Sequence, residues 1–181
     1  MDVLTQGPVT VVDIQQSGIS WRAIAAGAVT SIALTLLLFA LGAGLGLSSI
    51  SPWSDSGVSA STFKVGAGVY LCCVAVMSAA VGGYLAARLR IRDHLPGPET
   101  KFRDAAHGFM TWVVGVALMS GAVLVLGALA AHVGGPVPAE TTDAARKAAA
   151  YVSFWSFMAL LFGAVAATLA GILGGELRDE A

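Results

Sequence analysis

The chain has 181 residues, of which 56% are apolar and only 12% charged, and its formal net charge is −1. Soluble domains carry about 25% charged residues, so this composition excludes a soluble globular domain, and the near-zero charge gives no basic surface for nucleic acid. Four stretches lack Asp, Glu, Lys and Arg, and each exceeds the roughly 20 apolar residues that cross a bilayer. They are residues 23–47, 65–87, 105–131 and 148–175.

Residues 1–20 lack a sustained helical period, which predicts a mostly irregular N-terminal arm. A signal peptide is excluded because its short apolar core would begin closer to the N-terminus. The remainder, residues 21–181, is predicted to form one transmembrane domain. Its helices are expected at about 22–48, 64–90, 104–132 and 143–177.

The first helix ends in alternating glycines, Gly42, Gly44 and Gly46. A dinucleotide-binding loop is rejected, because no strand precedes the glycines and the third one is misplaced. Two interpretations remain. The first is a frayed or closely packed helix end, and the second is an unwound backbone that offers carbonyl groups to an ion inside a pore.

Small residues recur at every fourth position of the second and fourth helices. Such stripes let helix backbones approach closely, which is how helices associate in lipid. One small bundle is not expected to use both stripes, so at least one of them is expected to meet another chain. The stripes are Ala75, Ala79, Gly83 and Ala87 in the second helix, and Gly163, Ala167, Gly171 and Gly175 in the fourth.

An offset of 88 residues superimposes the two halves of the sequence. It places Gly83 on Gly171 and Leu89-Arg90 on Leu177-Arg178. The match predicts a tandem duplication of a helix hairpin, with the halves related by an axis along the membrane normal.

Positive residues predict the orientation. The loop between the second and third helices, together with Arg22 and Arg178, holds seven cations, whereas the opposite side holds three, Lys64, Arg146 and Lys147. Cations favour the cytoplasmic side, so both termini are predicted to be cytoplasmic.

The middle of every apolar stretch is free of ionisable side chains, whereas proton relays, voltage sensors and ion-coupled carriers place such groups at depth. Adjacent Cys72 and Cys73 diverge on a helix and are interpreted as apolar fillers. His107 and His132 lie too far apart to bind one haem, and no metal-ligand spacing occurs. No cofactor and no metal are predicted. The polar groups at depth are hydroxyls: Thr30, Ser31, Thr35, Ser78, Ser120, Ser156 and Thr168.

The densest polar cluster opens the third helix. Asp104 and His107 lie three residues apart and share a helix face. Such a pair orients an imidazole for base catalysis, but no Ser or Cys nucleophile is close in sequence. The favoured interpretation is an interfacial network that ties the helix ends together, with a pH-sensitive contact through His107 as a variant. Its members are Arg88, Arg90, Arg103, Asp104, His107 and Glu176.

Four segments carry a family resemblance: Trp21 with Ala26-Gly27-Ala28, and residues 40–53, 82–90 and 102–109. Together they resemble a family of uncharacterised proteobacterial four-span inner-membrane proteins. The resemblance implies a bacterial inner membrane and implies no activity and no functional residues.

These observations predict an all-α integral membrane four-helix bundle, built as two tandem transmembrane hairpins in a lipid bilayer. We expect a non-enzymatic protein that self-associates, or serves as an accessory subunit of a larger membrane complex, through its small-residue faces. The alternative is an oligomeric channel or facilitator, lined by the hydroxyls and by the glycine-rich end of the first helix. An enzyme that relies on Asp104 and His107 ranks third.

Overall fold

The computed structural model describes residues 19–49, 57–91, 97–134 and 143–180. Within them the chain forms four α-helices, and each is long and apolar enough to cross a membrane. The predicted all-α four-helix bundle is confirmed, and the chain is a multi-pass membrane protein. The predicted N-terminal arm lies outside the described residues up to position 18. The helices are α1 (Trp21–Ser49), α2 (Ala60–Arg88), α3 (Gly97–Gly134) and α4 (Asp143–Asp179).

The helices extend beyond the apolar stretches. Helix α2 begins at Ala60 because the Ser59 hydroxyl accepts a hydrogen bond from the Thr62 N–H at 3.2 Å, which caps the first turn. Helix α3 begins at Gly97, earlier than predicted, with Pro98 in its first turn. Proline is favoured there because the first helical N–H groups have no partner within the helix.

Helices α2 and α4 run parallel and make the most extensive contact in the bundle. Helix α1 packs on α2 and α3, and α3 packs on both α2 and α4, whereas no Cα atom in the described part of α1 lies within 8 Å of one in α4. A duplicated hairpin would place α2 beside α4 in this way. The contact between α2 and α3 has no counterpart between α1 and α4, so the duplication stays a prediction.

The bundle has two distinct ends. At one end, α1 and α3 begin and α2 and α4 terminate; we call it the Asp104 end. The opposite end is called the Lys64 end. The two stripes of small residues face the bundle interior toward the Asp104 end. Gly83 lies against the backbone of Ala167, so that a Cβ there would collide with it, and Gly174 lies equally close to the backbone of Tyr84.

Helix α4 uses its stripe on two sides, because Gly108 of α3 approaches the Ala167 backbone as closely as Gly83 of α2 does and also lies against Gly171. All four α4 stripe positions are buried, as are three of the four in α2, with Ala75 half-buried. One bundle therefore does use both stripes. The premise that one of them must be left for another chain was wrong.

Helix α3 leaves the bundle toward the Lys64 end. Its residues 120–130 are all exposed, and Val123, Leu124, Val125 and Leu126 are each between 64% and 73% exposed. Successive helical residues point about 100° apart, so four exposed neighbours mean that the described residues pack on no face of the helix there. Residues 117–130 are called the α3 outer half below.

Candidate functional site

A buried carboxylate joins three segments at the Asp104 end. Asp104 is 2% exposed, and its Oδ1 accepts hydrogen bonds from Arg90 Nε at 3.0 Å and from Arg178 Nη1 at 3.1 Å. Arg178 Nη2 donates to Oδ2 at 3.2 Å, and Nη1 also donates to the Ala87 carbonyl at 2.9 Å. The missing side chain of Gly175 leaves the space that the carboxylate occupies. The charges thereby connect α3 to the ends of α2 and α4.

His107 connects α3 to the start of α1. Its Nε2 accepts a hydrogen bond from the Ser20 N–H at 2.9 Å, and its Nδ1 lies 2.7 Å from the Arg103 carbonyl. An imidazole that accepts at Nε2 is neutral and carries its proton on Nδ1, which therefore donates to that carbonyl. The ring is 2% exposed.

These contacts bear on the predicted Asp–His pair for base catalysis. Both ring nitrogens of His107 have backbone partners, while the Asp104 carboxylate is held by two arginines. The imidazole of His107 therefore holds the start of α1, and the carboxylate of Asp104 holds the ends of α2 and α4. The geometry therefore favours the interfacial network over an acid–base site.

The remaining predicted members of the network lie nearby but bind elsewhere. Arg103 donates from Nε to Glu99 at 3.0 Å on the surface of α3, and Glu176 pairs with Lys101 at 2.8 Å. The Nη1 atom of Arg88 is buried and has no hydrogen-bond partner among the described residues.

The prediction of this network did not include Arg178. A signal for it was present, because the 88-residue offset places Arg90 on Arg178. The structure brings these two arginines to one carboxylate.

A second feature is a cavity of about 280 Å³ at mid-depth, where α3 begins to leave the bundle. Ser31 lies ten residues beyond Trp21, about 15 Å along the helix. The described lining contains no charged side chain and includes Trp112. Five of the predicted hydroxyl residues contribute to it: Ser31, Thr35, Ser78, Ser120 and Ser156.

The hydroxyls differ in how they are satisfied. Thr30, Thr35 and Thr168 each donate to the carbonyl four residues earlier, at 2.8–2.9 Å, which is the usual solution for a hydroxyl on an apolar helix. Ser78 is 1% exposed, and its Oγ has no hydrogen-bond partner among the described residues. A buried unpaired hydroxyl costs about 1–3 kcal/mol, and this one lies at the wall of the cavity.

The glycine-rich end of α1 does not unwind, since α1 remains helical to Ser49. The interpretation of Gly42, Gly44 and Gly46 as an unwound ion site was therefore wrong. Gly42 gives room to the ring of Tyr70, whose hydroxyl donates to the Leu38 carbonyl at 2.6 Å. A Cβ at Gly46 would lie 3.7 Å from Phe63, and Gly44 has open space beside it.

Comparison of the chain with protein-family models, with curated proteins and with solved structures gives no match. The described residues also contain no cluster of three or more His, Cys, Asp or Glu side chains that could hold a metal ion.

Proposed function

We propose that the protein is a non-enzymatic membrane protein that self-associates, two copies meeting through the α3 outer half. The observation that carries this proposal is the exposure of Val123 to Leu126 on every side of α3. The first half of the same helix is packed against α2 and α4. A helix in lipid gains stability by packing on another helix, and the described residues of one chain do not supply that packing to the α3 outer half.

The glycines of α3 support a second copy as the partner. Gly108 lies against the backbone of α4, whereas a Cβ at Gly121 or Gly127 would meet no atom of the described chain within 4 Å. A glycine inside a helix costs about 1 kcal/mol relative to alanine, which a close approach by another backbone would offset. Ala117, Gly121 and Ala128 lie within about 40° of one another around the helix. The same face on two copies is self-complementary and closes as a symmetric pair.

Gly121→Leu and Gly127→Leu form a matched test, because both glycines are exposed in α3 and point about 120° apart. Energy transfer between donor- and acceptor-labelled copies in liposomes would report association over a range of protein-to-lipid ratios. We expect Gly121→Leu to weaken association at least about tenfold, which corresponds to about 1.4 kcal/mol, and Gly127→Leu to leave it within about twofold.

Equal effects of the two variants would overturn the assigned face. A wild-type protein that stays monomeric at every ratio, or that associates only with a different membrane protein, would overturn self-association.

The proposed location is a bacterial inner membrane, with the Asp104 end on the cytoplasmic side. Its support is the predicted excess of cations in the connection between α2 and α3. Fusing a reporter that is active only outside the cytoplasm to each terminus would test this orientation. Activity of either fusion would contradict it.

A facilitator for small uncharged solutes is the second candidate, favoured by the hydroxyl-lined cavity at mid-depth. Ala159 lines this cavity and is 5% exposed, so Ala159→Leu reduces its volume. Gly44→Leu is the control, because Gly44 has open space and does not line the cavity. Glycerol flux into proteoliposomes should be lower for Ala159→Leu than for the wild type and the same for Gly44→Leu. No flux with the wild type, or equal flux for Ala159→Leu and the wild type, would contradict this candidate.

A further inference from the structure

A groove of about 670 Å³ lies between the first turns of α2 and α4, at the Lys64 end. It is separate from the α3 outer half, since those of its lining residues that the structure describes belong to α2 and α4. Lys64 and Gly68 contribute from α2, and Lys147, Tyr151 and Trp155 from α4.

The walls of the groove follow from helical spacing. Lys147, Tyr151 and Trp155 recur at every fourth position and so share one face of α4. The indole of Trp155 lies over Gly68, where any Cβ would collide with it. Tyr151 packs beside this indole with the ring centroids 6.2 Å apart. The rings of Tyr151 and Trp155 therefore form an apolar wall that begins one helical turn after Lys147.

The polar groups of the groove can all donate hydrogen bonds. The Tyr151 hydroxyl and Trp155 Nε1 are buried and have no hydrogen-bond partner among the described residues. An indole N–H and a lysine ammonium can only donate. Lys64 and Lys147 line the same groove, and neither pairs with an acidic side chain in the described part of the chain. Two cations in one groove repel each other, so these groups together favour an anionic ligand with acceptor oxygens.

The length of the groove along α4 indicates which class of molecule bears the anionic group. From Lys147 to Trp155 the helix rises about 12 Å, and Trp and Tyr rings prefer the level of the lipid headgroups. A ligand that uses the whole groove must be charged at the lysine level and apolar alongside the rings, where Phe63, Leu71 and Val152 also line the wall. A free phosphate ion would leave the apolar wall uncovered.

We propose that this α2–α4 groove binds an anionic phospholipid, its phosphate between Lys64 and Lys147 and one acyl chain along the aromatic wall. The Tyr151 hydroxyl and the Trp155 N–H donate to the ester or phosphate oxygens. Occupation of the groove by lipid requires no second copy of the chain, so this inference and the proposed self-association succeed or fail separately.

The test is a titration of the full-length, delipidated protein in mild detergent with phosphatidylglycerol, with phosphatidylcholine as the uncharged-headgroup comparison and native mass spectrometry counting bound lipids. A juxtamembrane lysine contributes about fivefold to the binding of anionic lipid. We therefore expect Lys64→Gln combined with Lys147→Gln to weaken phosphatidylglycerol binding about 25-fold, with phosphatidylcholine binding unchanged.

Arg146→Gln is the matched control, because it removes the same charge beside Lys147, while Arg146 pairs with Asp143 at 2.9 Å and does not line the groove. It should change the affinity less than about twofold. Tyr151→Phe, which removes only the hydroxyl, should weaken phosphatidylglycerol binding without loss of helix content. Equal binding of the two lipids, an equal effect of Arg146→Gln, or full displacement of the lipid by millimolar inorganic phosphate would overturn the proposal.

Discussion

Asp104→Asn is the sharpest perturbation of the Asp104 end, because it preserves the shape of the side chain and removes the charge between two arginines. Breaking a buried ion pair by removing one partner costs about 3–5 kcal/mol. Arg178 would retain its bonds to the Ala87 carbonyl at 2.9 Å and to the Asp179 carboxylate at 2.9 and 3.2 Å. We therefore expect a loss near the lower limit, about 3 kcal/mol in the free energy of unfolding.

Unfolding in mixed micelles of increasing denaturing-detergent fraction, followed by circular dichroism, would measure this loss. Glu99→Gln is the matched control on the same helix, since it removes one exposed i,i+4 pair with Arg103. Such a pair contributes about 0.3–0.5 kcal/mol. If Asp104→Asn costs no more than Glu99→Gln, the buried charges do not hold this end together and the reasoning is refuted.

Three further predictions concern the contacts between helices, each measured by the same unfolding assay. Gly83→Ala places a Cβ against the α4 backbone and should cost about 1–3 kcal/mol, whereas Gly66→Ala, on the open side of α2, should be neutral or stabilising. Tyr70→Phe removes one hydrogen bond to a carbonyl of α1 and should cost about 1 kcal/mol, and no change would contradict that bond. His107→Ala deprives the Ser20 N–H of its acceptor, which should cost about 1–3 kcal/mol and speed hydrogen exchange at the start of α1; unaltered exchange there would contradict it.

The four helices were predictable because their signal is local. A charge-free run longer than the bilayer core has one stable solution in lipid, a helix whose backbone satisfies its own hydrogen bonds. The ends were less predictable. Helix α3 continues back to Gly97 through charged residues that the apolar run does not include, because a favourable first turn is independent of hydropathy.

The candidate sites depend on tertiary packing and were only partly predictable. In a four-span bundle the start of α3 lies on the same side of the membrane as the ends of α2 and α4. The topology therefore predicted a network of polar residues around Asp104. The mid-depth cavity and the α2–α4 groove exist because α3 leaves the bundle and because Trp155 lies over Gly68. No single-helix pattern contains that information, since it arises from the fit between side chains on different helices.

The distribution of glycine explains why one end of the bundle is closed and the other open. At the Asp104 end, each of the four helices has a glycine that lies against the backbone of a neighbouring helix: Gly27 on Gly82, Gly83 on Ala167 and Gly108 on Gly171. Separating backbones in such contact would lose the close van der Waals packing that holds helices together in lipid, and the buried charges around Asp104 add to that constraint. At the Lys64 end the glycines meet aromatic side chains instead of backbone, and a Cβ at either glycine of the α3 outer half would meet no atom of the described residues within 4 Å. Binding of a lipid or a second copy is therefore least costly at the Lys64 end, where it replaces no backbone contact of the closed end.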